Sequence, residues 1–306
     1  MSGKVMKMLS DSEAVCQSAR RDPVPMASPL SLLGVQLCAI GRLPLPVLIG
    51  GAVILFWIFA ALTVSHWGLP DPIKIAGKRL QEPTIAHWLG TDALGRDVLS
   101  RTLFGATYSI PVALFVVGAA VAIGATLGAI GGYIGGVIDG LIMRLVDVTL
   151  SFPPILLAMT IAATLGPGLF NAALAMVIVW WPIYARLMRA QVLEVKEREH
   201  VEAAIAGGAR RVRVLCVHIL PLCWTPVLIN ATMDFGQVVL LASSLSFIGL
   251  GATPPTPEWG AMISEGSSRF YSWWIAFGPG VAILSVVLAF SFVGDGLRDL
   301  LDPKSE

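Results

Sequence analysis

The sequence predicts an all-α membrane protein with six transmembrane helices. Of its 306 residues, 56% are hydrophobic and only 13% are charged, and the mean hydropathy is +0.77. Soluble domains carry about 25% charged residues. Apolar stretches long enough for a helix to cross a bilayer alternate with polar stretches. We predict spans at residues 47–67, 109–134, 139–165, 170–187, 226–248 and 274–293.

Composition also limits the partners. The net charge of +1 argues against a nucleic-acid partner, which requires a concentrated basic surface. The four cysteines have no CxxC spacing, so we expect reduced thiols rather than a metal site or a disulfide framework. They are Cys16, Cys38, Cys216 and Cys223. About forty mostly polar residues precede the first apolar stretch, which therefore resembles an uncleaved anchor.

The spans divide the chain into four parts. We predict a cytoplasmic tail at 1–43, a first helix with an extracytoplasmic loop at 44–108, a core at 109–293 and a polar cytoplasmic tail at 294–306. Fifteen of the 21 Lys and Arg residues lie in the segments that this topology places inside. The positive-inside rule therefore favours cytoplasmic termini.

The longest charged stretch between apolar spans is residues 196–221, here called the EAA loop. We predict a short helix at 196–206, a turn at Gly207 and Gly208, and a second helix at 209–220 that Pro221 closes. Alanines leave little side-chain bulk on the first helix, so the surface of another protein can approach closely.

The EAA loop contains a spaced set of residues, Glu202, Ala203, Ala204, Gly208, His218, Leu220 and Pro221. This set resembles the signature of ABC importer permeases. The resemblance implies a coupling helix that docks into a groove of a cytoplasmic ATPase. His218 stands where the motif has isoleucine, and this His-Ile-Leu-Pro ending is typical of the peptide-transporting branch. From the residues alone, a plain amphipathic loop is the alternative.

Residues 87–97, here called the signature loop, resemble the signature before the second span in C-type permeases of dipeptide, oligopeptide and nickel ABC importers. The matching residues are His87, Gly90, Thr91, Asp92, Gly95, Arg96 and Asp97. Thr91 and Asp92 are residue types that cap helices, and glycine permits tight turns. We therefore expect a compact loop that leads into a helix. A metal site at His87, Asp92 and Asp97 is the weaker alternative, because the metal-ligand spacings are missing.

Glycines recur every fourth residue in the second span, at Gly124, Gly128, Gly132 and Gly136. This spacing places them on one helical stripe, where the backbone of another helix can approach closely. The alternative is that glycine is simply frequent in membrane helices.

Two features inside the spans suggest a pathway or gate. Pro153 and Pro154 interrupt the third span, because consecutive prolines remove two amide donors. The break can form a gate or a static kink. Asp234 lies at membrane depth in the fifth span, where an acid either faces a water-filled path or pairs within the bundle. The sequence leaves both choices open.

The resemblance covers residues 85–303 and implies a type I ABC importer permease (MetI-like) fold in the bacterial inner membrane. The implied partners are a second permease in a heterodimer, two cytoplasmic ATPases, an extracytoplasmic solute-binding protein and the lipid bilayer. The chain has no GxxxxGK[ST] loop, so ATP and Mg are expected to act through the ATPases, and we expect no bound cofactor.

We expect no catalytic residues, since HExxH and GxSxG are also missing from the sequence. Peptides are the expected solute, with nickel and glutathione as alternatives. An ion-coupled secondary transporter and a membrane scaffold are the competing functions.

Overall fold

The computed structural model describes residues 44–301. The predicted tail at 1–43 lies outside the described residues, as do the last residues of the predicted tail at 294–306. The described part is helical and contains no strand beyond a single bridge between Thr91 and Asp97. The predicted all-α fold class is confirmed.

The first two long helices are α1 (Leu45–Thr63) and α2 (Val98–Ile134). The 37 residues of α2 span about 55 Å at 1.5 Å per residue, which exceeds the bilayer core of about 30 Å. The helix begins eleven residues before the predicted span, because the side chain of Asp97 caps it by accepting a hydrogen bond from the Ser100 amide at 2.7 Å. The prediction of capping by Thr91 and Asp92 was wrong.

The third predicted span is two helices, α3 (Gly136–Leu150) and α4 (Pro154–Leu165), which meet at 92°. Pro153 ends the connection and Pro154 starts α4, so the break falls where the sequence predicted it. Five described helices are individually long and apolar enough to cross a membrane, and the bent pair would make a sixth.

The EAA loop differs from its prediction. The short helix α6 (Glu199–Ala206) begins three residues later than predicted, because Lys196 still belongs to α5 (Leu169–Lys196). The next helix, α7 (Arg211–Phe247), then continues through the loop into the membrane span. Pro221 therefore ends no helix. It lies in the first turn after a π-helical segment, Val214–Ile219, whose wider turn accommodates the missing amide donor.

The described part of the chain ends with two further helices, α8 (Trp259–Ser267) and α9 (Trp274–Leu301). The predicted boundary at 294 does not coincide with a structural break, since α9 continues to Leu301. Gly294 lies against Met233 of α7, and Gly296 lies against Val47 of α1. The end of α9 is therefore packed on the bundle.

The largest helix contact joins α2 and α5. A Cβ atom added to Gly128 would lie 2.2 Å from the carbonyl oxygen of Ala185, and one added to Gly124 would lie 2.3 Å from that of Trp181. At Gly132 the nearest atom is the Arg189 oxygen at 3.1 Å. The glycine stripe therefore faces α5. Gly136 is not part of it, because it starts α3 with φ +62.

Candidate functional site

The short helix α6 of the EAA loop is largely exposed. Val201 is fully buried and anchors α6, whereas Glu202 and Ala203 are exposed and Ala204 is half-buried. Ile205 is 52% exposed although it is a large apolar side chain. The exposed surface of α6 thus combines two carboxylates, those of Glu199 and Glu202, with small and apolar side chains.

Gly208 makes the turn that follows α6. Its φ of +79 lies in the left-handed region that favours glycine, and its amide donates to the Ile205 carbonyl oxygen at 2.9 Å. The other motif residues lie on α7, where His218 and Leu220 are half-buried and Pro221 is exposed. The Glu-Ala-Ala-Gly part of the motif therefore lies at an exposed surface, whereas its His-Ile-Leu-Pro part lies near the beginning of a long helix.

The signature loop is a hydrogen-bonded structure around two carboxylates. Asp92 Oδ1 accepts hydrogen bonds from the amides of Leu94 and Arg96 at 2.8 and 2.9 Å. Asp97 Oδ2 lies 2.7 Å from His87 Nδ1. Thr91 Oγ1 accepts a hydrogen bond from the Gln81 amide at 2.9 Å.

Glycine is required at two turns of the signature loop. Gly90 has φ +67 and Gly95 has φ +82, and a Cβ atom at either position would lie 2.5 Å from a carbonyl oxygen. His87, Asp92 and Asp97 do not form a metal site, and no group of three such ligands occurs among residues 44–301. Instead, Asp92 pairs with Arg96 and Arg101, and His87 pairs with Asp97.

Asp234 has a partner inside the chain. Its Oδ2 accepts a hydrogen bond from the Tyr184 hydroxyl of α5 at 2.8 Å, so the carboxylate joins α7 to α5. The structure thus shows pairing within the bundle, one of the two alternatives. Pro153 and Pro154 are exposed at the bend between α3 and α4.

Sequence reasoning missed two ion pairs because their members lie far apart in the chain. Arg189 donates to both oxygens of Asp139 at 2.5 and 2.6 Å. Arg186 pairs with Asp147 at 2.6 Å. Both pairs join α3 to α5, and no local spacing indicates them.

Glu258 was also missed as a capping residue. Its Oε2 accepts a hydrogen bond of 2.9 Å from the Ala261 amide at the start of α8. Glu258 is only 1% exposed. Burial raises the pKa of this carboxyl group, and hydrogen bonds from backbone amides and from Ser246 and Ser109 only partly oppose that effect. Glutamate is not a preferred N-cap residue, so its sequence position gave no signal.

These features define a class of protein. The bundle is a multi-pass helical membrane protein that carries a short exposed helix between two of its long helices.

Comparison with known proteins identifies the family. Residues 124–306 match the family described as binding-protein-dependent transport system inner membrane component. The chain is 46% identical over 254 residues to the dipeptide transport system permease protein DppC of Alkalihalophilus pseudofirmus, with 82% of each chain covered.

Two further relatives have different names. The probable D,D-dipeptide transport system permease protein DdpC of Escherichia coli is 44% identical over 85% of this chain and 88% of the relative. The glutathione transport system permease protein GsiD of Escherichia coli is 45% identical over 72% of this chain and 74% of the relative. The chain belongs to the binding-protein-dependent transport system inner membrane component family. It is a transport permease subunit and not an enzyme.

Proposed function

We propose that this chain is one of two different permease subunits that form the translocation pathway of an ATP-driven importer of short peptides. Two cytoplasmic ATPases supply the energy and an extracytoplasmic binding protein delivers the solute. The relatives named for dipeptide and glutathione transport support a peptide as solute.

The exposed face of α6 is the observation that carries the proposal. A short helix with its charged and apolar side chains free is suited to insertion into a groove of another protein. Its buried residue, Val201, ties the helix to the bundle. Movement of the ATPases would therefore pass through α6 to α5 and α7 and change which side of the pathway is open.

Charge reversal at Glu202 tests this coupling role. Glu202→Lys should abolish dipeptide uptake in cells that lack the wild-type gene, because attraction to the ATPase groove becomes repulsion. Glu197→Lys is the matched control, since Glu197 is also exposed but lies outside α6. The amount of inserted subunit should be the same for both variants. Normal dipeptide uptake by Glu202→Lys would contradict the coupling role.

The proposed orientation has a separate test. With both termini cytoplasmic, reporter fusions should place Lys78 and Glu265 outside and Arg198 inside. A cytoplasmic reporter signal at Lys78 would remove the first crossing and contradict the proposed topology. Uptake that continues when ATP is depleted but an ion gradient persists would instead favour a secondary transporter.

A further inference from the structure

A cavity of about 520 Å³ whose lining includes three arginines opens beside the signature loop. Its walls come from that loop, the start of α2, the end of α7 with the loop after it, and α8. Among its lining residues, those with charged or hydroxyl groups that enter the argument are Arg96, Arg101, Ser268, Glu265 and Arg269.

Two guanidinium groups line the cavity while being almost fully buried. Arg96 is 4% exposed and Arg101 is 3% exposed. Arg96 donates through Nε to Asp92 Oδ2 at 2.5 Å and through Nη2 to Glu265 Oε2 at 3.3 Å. Arg96 is therefore paired twice.

Arg101 is less well satisfied. Its Nη1 donates to the Pro72 carbonyl oxygen at 3.1 Å. Its Nε lies 3.4 Å from Asp92 Oδ2, the oxygen that Arg96 already occupies, and it forms no hydrogen bond with any residue between 44 and 301. A buried, charged donor without a hydrogen bond is costly unless another acceptor reaches it.

The charges at the cavity do not balance. The buried Arg96 and Arg101 and the exposed Arg269 line it, whereas Glu265 is the one carboxylate among the described lining residues. Asp92 is not a lining residue but pairs with Arg96 and Arg101, so one positive charge remains in excess. Guanidinium groups bind carboxylates through charge-assisted and often bidentate hydrogen bonds. The cavity therefore has the charge and the donors that a single additional carboxylate requires.

We propose that this cavity is a binding site for a carboxylate that Arg101 and Arg96 recognise. Resting on the proposed function, the carboxylate comes from one of two sources, the C-terminus of an incoming peptide or an acidic side chain of the binding protein. A flat protein surface cannot reach guanidinium groups that are 3–4% exposed.

Two serines at the end of α8 provide a matched test that spares the buried arginines. Ser268 lines the cavity, whereas its neighbour Ser267 does not, and both are exposed. Ser268→Glu supplies a competing carboxylate at the cavity and Ser267→Glu does not. Neither substitution disturbs the core, so both variants should fold.

The first measurement is the thermal stability of the purified full-length chain with dialanine or with dialanine amide. A ligand that binds the native state raises the midpoint of unfolding. We expect dialanine to stabilise the wild type and Ser267→Glu, and dialanine amide to have no effect. Ser268→Glu should need at least about ten-fold more dialanine for the same shift, since ten-fold corresponds to only about 1.4 kcal/mol.

The second measurement, capture of the binding protein by the two serine variants, identifies the source of the carboxylate. If the binding protein supplies the carboxylate, dialanine will not shift the midpoint, but Ser268→Glu will capture the binding protein about ten-fold more weakly than Ser267→Glu. Equal behaviour of the two variants in both assays would overturn the site, as would stabilisation by dialanine amide equal to that by dialanine. The proposed function is tested by a different experiment: it would be contradicted if dipeptide uptake persisted after the gene for the whole chain was deleted.

Discussion

Replacing Gly128 by alanine tests the contact between α2 and α5, which is the largest helix contact in the fold. The added Cβ atom would lie 2.2 Å from the Ala185 carbonyl oxygen, 2.9 Å from its carbonyl carbon and 3.0 Å from its Cα. All three atoms belong to the backbone of α5. The two helices must therefore separate, because no side chain can rotate away.

The expected loss of stability follows from two opposing terms. Overpacking a well-packed contact costs about 1–3 kcal/mol. Alanine in place of glycine within a helix recovers up to about 1 kcal/mol. Gly118 on the same helix supplies the control, because it is exposed and a Cβ atom there meets no atom within 4 Å. Gly118→Ala therefore gains the helix propensity of alanine without overpacking a helix contact.

The assay is thermal unfolding of the purified chain in detergent, with the amount of each variant in the membrane measured by immunoblot. Gly128→Ala should unfold at a lower temperature than the wild type, and Gly118→Ala should not. If Gly128→Ala is as stable as Gly118→Ala, the backbones of α2 and α5 are not in contact at Gly128 and the packing argument fails.

Two other predictions concern polar residues. Asp97→Ala should lower the free energy of unfolding by about 1–2 kcal/mol, because it removes the cap of α2 together with the contact to His87. Asp97→Asn keeps a capping oxygen and should cost less. Equal losses for the two variants in thermal unfolding would refute the capping role. Because burial raises the pKa of Glu258 above its ordinary 4.5, its contribution to stability is complete below pH 4.5 and is lost as the pH rises through the raised pKa. Glu258→Gln should remove this pH dependence, and a wild type whose unfolding temperature rises over that interval relative to the variant would contradict the assignment.

The sequence was sufficient for features that depend on local composition. Helix positions follow from apolar stretches of about 20 residues, since a bilayer requires every backbone amide to be satisfied within its own segment. The prolines at 153 and 154 predicted the break between α3 and α4, because proline lacks the amide donor that a helix needs. The short helix α6 before Gly208 followed from the same local rules.

Local rules failed where a helix end depends on its context. Pro221 was expected to close a helix, yet a π-helical segment before it lets α7 continue. Asp97 rather than Thr91 or Asp92 caps α2, because the signature loop engages those two residues in its own hydrogen bonds. All three are suitable capping residues by type, so the sequence could not choose among them.

Only the tertiary structure decided which distant residues meet. The glycine spacing predicted a close contact but did not identify α5 as the partner, and it wrongly included Gly136. Arg96 and Glu265 are separated by 169 positions in the chain, yet they form an ion pair at the cavity beside the signature loop. Periodicity and propensity describe forces within one segment, whereas such pairs depend on how several helices pack in space. For this reason the sequence determined the class of protein and its spans, and the packed bundle determined the cavity.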